Sequence, residues 1–395
     1  MPRLSAVGIS GLQAREDVKF RTDCLEFLGD RPCKPHKLRG RTCDTCPEYI
    51  RERGRLLLVK LGALGDVVRT LPLLEALAKA YVGYSIWVVT QKPSFPFFSA
   101  NPFVRRVVLL EHAPLFLSQV GFQIAANLDL DPLACAVIGL AQADKKLGFG
   151  LDASGNVVPL DERASTWYTM SLDDATKRAN RETYQQHMAR ILGVPSKNEP
   201  IRIEPGQKRV ELAKKLLQQA GLNPSQRPLI GLNTGSSGRW PLKAPPAAHF
   251  VELIRLLDAQ GLTPVSLLGG REQLPKNQAI ANASRNKAVV LDVRQDVLEF
   301  AALVAWHNLI VTGDTLALHL ALAFKVRVVA LFGPTSAQEI ELYGLGTKLV
   351  GDVPCIGCYT SACEKQPTCM DTITPKEIFG AILNELSFGH RPTHL

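Results

Sequence analysis

No stretch of the 395-residue chain reaches the roughly 18–20 uncharged apolar residues needed to cross a bilayer. Residues 1–20 also lack the apolar centre of an export signal, so the expected location is the cytoplasm. No strand-like run is followed by the Gly-x-Gly-x-x-Gly turn of dinucleotide folds or by a Walker loop. That argues against a sugar epimerase or dehydrogenase with tightly bound NAD. Acidic residues are outnumbered, 37 against 46 Lys and Arg, and the net charge of +9 favours anionic partners such as nucleotide phosphates or acidic lipid. Aromatics make up only 7% of the chain, and none interleaves with its most basic segment, Arg31–Arg41. Without rings to stack on bases, that segment reads as a solvated loop or a contact for an anionic acceptor or membrane surface rather than for nucleic acid.

What is present is a globular composition, 46% hydrophobic and 21% charged, in a chain too long for one ordinary core. Two domains are expected. The nine cysteines are many for a cytoplasmic protein, and eight of them fall in two groups. Cys24, Cys33, Cys43 and Cys46 precede the first strand, and Cys355, Cys358, Cys363 and Cys369 follow the last. Each group holds one Cys-x-x-Cys, a spacing that suits a tetrahedral structural metal such as zinc. Free or redox-active thiols and, less compatible with the expected compartment, disulfides remain open as other readings.

Strand and helix patterns alternate from Arg55 onward. Strands are expected at Leu56–Leu61, Ser85–Thr90, Val104–Leu110 and Gln123–Leu130, with helices over Pro132–Ala141 and Glu182–Leu192. Prolines at 195, 200 and 205 mark a linker, after which the alternation restarts. The second set comprises strands Leu229–Asn233, Thr263–Leu268, Ala288–Val293, Leu309–Thr312 and Val326–Phe332. Between them lie helices Arg209–Ala220, Ala247–Ala259, Val297–Trp306 and Thr315–Phe324. A capping box at Thr374–Glu377 opens a last helix with a stripe of Ile378, Phe379, Ile382, Leu383 and Leu386. The division that follows is a tail and basic arm over 1–53, a first domain over 54–196, a linker over 197–208, a second domain over 209–373 and a closing helix and tail over 374–395. Two doubly wound α/β domains then face each other across a cleft.

The chain is organised around Arg55–Leu77. An apolar strand runs into Gly62 and Gly65, which allow a tight turn, and Asp66 stands where a helix should begin. Val67, Leu71, Leu74 and Ala78 give that helix one apolar face, and Pro72 should kink it. Asp66 is thus either a helix cap or a carboxylate presented at the ligand-binding edge of a parallel sheet. Three further places carry candidate chemistry. Thr234-Gly-Ser236, with Arg239 and Lys243 downstream, offers backbone N–H groups and cations to phosphate. Gly313-Asp-Thr-Leu316, with His319, opens a helix whose free N–H groups suit an anion. Asp129-Leu-Asp131 has the form of a metal-binding pair but is also a plain helix start.

Lys60, Leu64-Gly65-Asp66-Val67 and Thr70-Leu71-Pro72, in that order, resemble the opening loop of glycosyltransferase family 9, the heptosyltransferases of lipopolysaccharide assembly. Lys243, Asp314-Thr315-x-x-x-His319, Leu331–Thr335 and the Cys355–Pro375 segment resemble later family motifs, so the likeness spans about residues 55–385. Leu316 stands where the family usually has glycine, and Ala244-Pro245 follows Lys243 in place of x-Trp. The resemblance implies a GT-B architecture and inverting transfer of a sugar, heptose, from a nucleotide-diphosphate sugar such as ADP-heptose to an anionic glycolipid acceptor, with peripheral contact at the inner membrane. It implies that Asp66 is the catalytic base, with Lys60, Gly62 and Gly65 forming the acceptor-side loop. Thr234, Gly235, Ser236, Lys243, Asp314, Thr315, Leu316 and His319 would bind the donor, with Glu272 at its ribose, and no catalytic cofactor is required. The other readings are a non-catalytic, metal-stabilised nucleotide-sugar-binding protein or another sugar-nucleotide enzyme.

Overall fold

The computed structural model describes residues 20–196, 199–223, 228–236, 238, 240–291 and 296–388. The 1–20 tail (except Phe20), the linker positions 197 and 198, Arg239, and the end of the strand drawn to Val293 lie outside them.

The first apolar run forms β1 (Gly54–Val59), whose Leu56, Leu57, Leu58 and Val59 are fully buried. A strand covered on both faces needs no alternation, and so reads as continuous hydrophobicity. The chain continues through α1 (Leu64–Ala80), β2 (Tyr84–Thr90), β3 (Val104–Leu109), β4 (Gly121–Asn127), α2 (Pro132–Leu140), β5 (Gln142–Leu151) and β6 (Val157–Pro159). These strands form one sheet in the order β3-β2-β1-β4-β5-β6, parallel except for β5 with β6. Val67, Leu71 and Leu74 of α1 are buried in its core, as their spacing predicts, and the helix runs on through Pro72.

After α3 (Tyr184–Leu192) and α4 (Gln207–Gln219) a second sheet is built. It comprises β7 (Ile230–Asn233), α5 (Ala247–Ala259), β8 (Val265–Leu268), α6 (Leu274–Ala283), β9 (Ala288–Val290) and α7 (Val297–Ala305). It continues with β10 (Leu309–Gly313), α8 (Leu316–Ala323), β11 (Arg327–Phe332), β12 (Gly346–Val350) and α9 (Pro375–Ser387). Its order is β12-β11-β10-β7-β8-β9, all parallel. Read within its own unit this is strand order 3-2-1-4-5-6, the doubly wound arrangement whose ligand crevice lies where the order reverses. That reversal falls between β1 and β4 in one sheet and between β7 and β10 in the other.

Among the elements that escaped the pattern are β5, β6, α6, β12 and the helix Glu162–Leu172 between β6 and α3. The first half of β5 is largely exposed and carries Asp144, Lys145 and Lys146; β6 is only three residues, half-buried at the sheet edge. β12 opens on glycine and is only half-buried, as an edge strand can be. The capping box of α9 forms, with Thr374 accepting from the Glu377 N–H. Its stripe needs correction: Ile378 and Ile382 are buried, but Leu383 is 39% exposed and the buried polar member is Glu385, paired with Arg327.

The arm lies along the free edge of the first sheet. An isolated bridge joins Cys24 to Arg51, Arg105 of β3 pairs with Glu26 at 3.4 Å, and Arg106 donates to the Leu28 carbonyl. Its basic centre forms a short helix, Lys34–Arg39.

Candidate active site

The loops that follow β1 and β10 meet. A Cβ built on Gly65 would lie 3.0 Å from His319 Cδ2, so any larger residue would press on the imidazole where the two units meet. Asp66 is the third residue of α1, and Ala63 rather than Asp66 occupies the cap position. The capping role is therefore corrected: the carboxylate accepts no helix N–H and instead takes two hydrogen bonds on Oδ1, from Arg69 Nε at 3.1 Å and Nη2 at 2.7 Å. Its side chain remains 36% exposed. Burial opposes ionisation of Asp66, but the Arg69 guanidinium and then Lys60 outweigh it and hold the carboxyl below its ordinary value.

Facing it, the helix start at Asp314 carries a second ionic group. Lys243 Nζ lies 3.0 Å from Asp314 Oδ2 and donates to the Asp314 carbonyl at 2.9 Å. His319 Nε2 stands 3.6 Å from Asp314 Oδ1. Burial disfavours charge on Asp314, yet Lys243, His319 and Arg69 together pull its pKa well below the usual carboxylate value. Burial also lowers the His319 pKa, with Asp314 only partly offsetting it, so the imidazole is neutral near pH 7. An ammonium, a helix start and a neutral imidazole converging on one crevice can hold a diphosphate and stabilise it as a leaving group.

Not every predicted site residue reaches the crevice. Lys60 is fully buried and bonded to Asp129, whose carboxylate also accepts the N–H groups of Leu61 and Gly62. Lys60 is therefore a strut of the turn, not an acceptor contact, and Asp129 is spent on it rather than free for a metal. A Cβ on Gly62 would strike Asp129 Oδ1 at 2.8 Å, which explains the glycine. Asp131 caps α2, accepting from the Leu133 and Ala134 N–H groups. Thr234 is fully buried and its hydroxyl donates to Asn277, so its side chain does not face the crevice either. Gly235 packs on Gln273, and Ser236 donates to the Trp240 carbonyl. Glu272 accepts the Gly238 N–H at 3.0 Å and so closes the 234–243 loop. Thr315 bonds Asn233 and Thr312, and Leu316 begins α8 beside the Gly65 turn.

The eight grouped cysteines are free thiols, as is buried Cys135. Cys24, Cys33, Cys43 and Cys46 line one cavity of about 20 Å³ in the arm. Among the described residues, however, no three His, Cys, Asp or Glu side chains gather as a metal ion requires. A tetrahedral zinc holds its four sulfurs at about 2.3 Å from one centre. The structural-zinc expectation therefore finds no gathered ligand set among the described residues.

Sequence reasoning missed four residues of the cleft. Arg69 lies three positions after Asp66, a spacing at which helix neighbours pair, so it was legible. Tyr184, Glu339 and Tyr359 carried no signal. Arg69 stacks 4.0 Å over the Tyr184 ring, the Tyr184 hydroxyl lies 3.0 Å from Thr70 Oγ1, and the Tyr184 N–H bonds the Glu339 carbonyl across the units. Tyr359 donates to the Glu339 carboxylate at 2.8 Å, and burial raises the pKa of that acid.

Two doubly wound parallel sheets whose switch-point loops confront each other define the GT-B class of glycosyltransferase folds. The sequence profile of glycosyltransferase family 9 (heptosyltransferase) matches residues 118–368. The chain belongs to that family and is a glycosyltransferase. It is 28% identical over 336 residues to lipopolysaccharide heptosyltransferase 1 of Pseudomonas aeruginosa, covering 80% of this chain and 88% of the relative. In fold it resembles a family 9 glycosyl transferase from Veillonella parvula, with TM-score 0.70, 20% identity and coverage of 85% of this chain and 98% of that one. It also resembles E. coli ADP-heptose lps heptosyltransferase II, with TM-score 0.62, 19% identity and coverage of 85% and 99%. No helix among the described residues is long and apolar enough to cross a membrane.

Proposed function

We propose that the chain is an inverting heptosyltransferase that moves heptose from ADP-heptose to an anionic lipopolysaccharide-core acceptor. The observation that carries this reading is the confrontation of Asp66 with the Lys243–Asp314–His319 group across the Gly65–His319 contact. Asp66 takes the proton of the acceptor hydroxyl as its oxygen bonds to the anomeric carbon, the bond to the ADP oxygen breaks, and configuration inverts. Lys243 and the N–H groups opening α8 receive the charge developing on the departing diphosphate, the role that metal ions fill in other enzymes. For that, Lys243 exchanges its present partner, Asp314, for a phosphate oxygen. On this reading residues 54–196 hold the acceptor and 209–373 the donor, joined by 197–208. Support for a lipid-linked acceptor at the cytoplasmic membrane face comes from a cavity of about 440 Å³ at the edge of the first sheet, where Arg31, Arg105 and Arg106 stand beside Leu28, Phe95 and Phe116.

The test is Asp66→Asn. It removes the proton acceptor, so transfer from ADP-heptose to heptose-deficient lipopolysaccharide should fall by about 10²–10⁴-fold, the usual contribution of a general base. Donor affinity, measured by calorimetry, should remain. A folded Asp66→Asn protein that transfers at near wild-type rate would refute the assignment.

A further inference from the structure

The Asp66 carboxylate is held asymmetrically. Both hydrogen bonds from Arg69 go to Oδ1, and Oδ2 takes none from any described residue. Arg69 is itself fixed, with its side chain 9% exposed and its guanidinium stacked at 4.0 Å on Tyr184. Tyr184 is in turn tied at its N–H to Glu339 of the second unit and at its hydroxyl to Thr70. The remaining edge of the guanidinium, Nη1, is buried and has no hydrogen-bond partner among the described residues. A two-pronged grip on one oxygen is also geometry that a lysine cannot reproduce.

We propose that Arg69 is the positioning residue of the base: it clamps Asp66 by Oδ1 so that Oδ2 alone is presented to the acceptor hydroxyl. This rests on the reading of Asp66 as the base. The clamp also links the base to the approach of the two units, since Tyr184, on whose ring Arg69 rests, donates its backbone N–H to Glu339 across them. An Asp66 freed from it can rotate about its terminal torsion and present either oxygen at the wrong distance. Several groups face Asp66: Arg69 from its own helix, Lys60 from the end of β1, Tyr184 from α3, Asp314 and His319 from the second sheet, and Glu339 from the segment after β11. Of the opposite charges, Arg69 contributes most to keeping the carboxylate ionised. Removing it must therefore shift the protonation of Asp66 to higher pH.

The experiment compares Arg69→Met, Arg69→Lys and Asp66→Asn, reading ADP release from ADP-heptose with heptose-deficient lipopolysaccharide over an acid-to-neutral pH series. Arg69→Met should lower kcat by about 10–100-fold, the scale of a misplaced catalytic group, with little change in donor KM. The acid limb of its kcat/KM profile should move to higher pH. Arg69→Lys keeps the charge without the fork, so its limb should stay nearer the wild-type position while kcat still falls. An unmoved acid limb in folded Arg69→Met, even with a lowered melting temperature, marks Arg69 as merely structural and overturns the proposal. If Arg69→Met does not fold, wild-type kcat in Arg69→Lys overturns it instead. If Asp66→Asn is inactive while these outcomes occur, only the Arg69 proposal falls; if Asp66→Asn is active, the base reading itself has failed.

Discussion

The two switch points of the molecule hold the same chemical couple, a lysine and an aspartate, and use it for opposite ends. Between β1 and β4, Lys60 and Asp129 have side chains only 1% and 8% exposed, and the carboxylate is saturated by two backbone N–H groups as well. Between β7 and β10, Lys243 and Asp314 keep 15% and 13% of their side-chain surface, and the lysine's partners are a carboxylate and a carbonyl at a helix start. The first pair is sealed and shapes a turn. The second stands open at a crevice, where an anion can displace one of its partners. Ion-pair chemistry alone does not distinguish a strut from a site; access and the competing ligands do.

Lys60→Met should produce the largest effect. It strands Asp129 in a dry site, and breaking a buried pair by removing one partner costs about 3–5 kcal/mol. Lys243→Met leaves Asp314 with His319 and Arg69 at a partly open crevice, and should unfold in urea nearer the wild-type midpoint than Lys60→Met does. Equal losses of stability in the two variants would mean that the two pairs do not differ as strut and site.

Acid should separate the two sheets next. His187, beside the first sheet, is likewise lowered by burial, but Glu182 3.7 Å away favours its charged form and offsets part of that. His307, fully buried beneath β7 and β8, has Ser266 and the Leu303 carbonyl instead, and burial lowers its pKa from 6.5 to about 4. A depressed folded-state value means that the unfolded chain takes up the proton first. The stability that neutral His307 contributes is thus complete above pH 6.5 and is lost as pH falls from 6.5 towards 4. The loss is on the order of 3 kcal/mol, and His307→Gln should flatten the stability profile across that window. An unchanged profile in His307→Gln would place the acid sensitivity elsewhere.

The smallest effect sharpens the second switch point alone. Lys243→Ala should weaken ADP-heptose binding by about 1.5–3 kcal/mol, the worth of a charge-assisted hydrogen bond. Titration calorimetry on the folded variant checks this, and unchanged affinity would leave Lys243 as no more than the partner of Asp314.

By itself the sequence determined the architecture and marked the two sheet edges at which the proposed chemistry is placed. Strands buried on both faces must be continuously apolar, so β1, β2, β10 and β11 could be read within a residue or two of their ends. The glycines around Asp66 and the loop before α8 likewise marked the two carboxyl edges where doubly wound folds bind ligands. Half-exposed edge strands such as β12 carry no such signal, because their residues serve solvent as much as core. Only the tertiary structure decided which member of each motif touches the crevice. It buried Lys60 and Thr234, took Asp66 out of the capping role and gave it Arg69, and brought Tyr184 and Glu339 to a place that lies far from Asp66 in sequence. Spacing along a chain sets what residues can do locally. Which neighbour desolvates, pairs or competes with them is set by long-range packing, and that is where burial and charge sort a strut from a site.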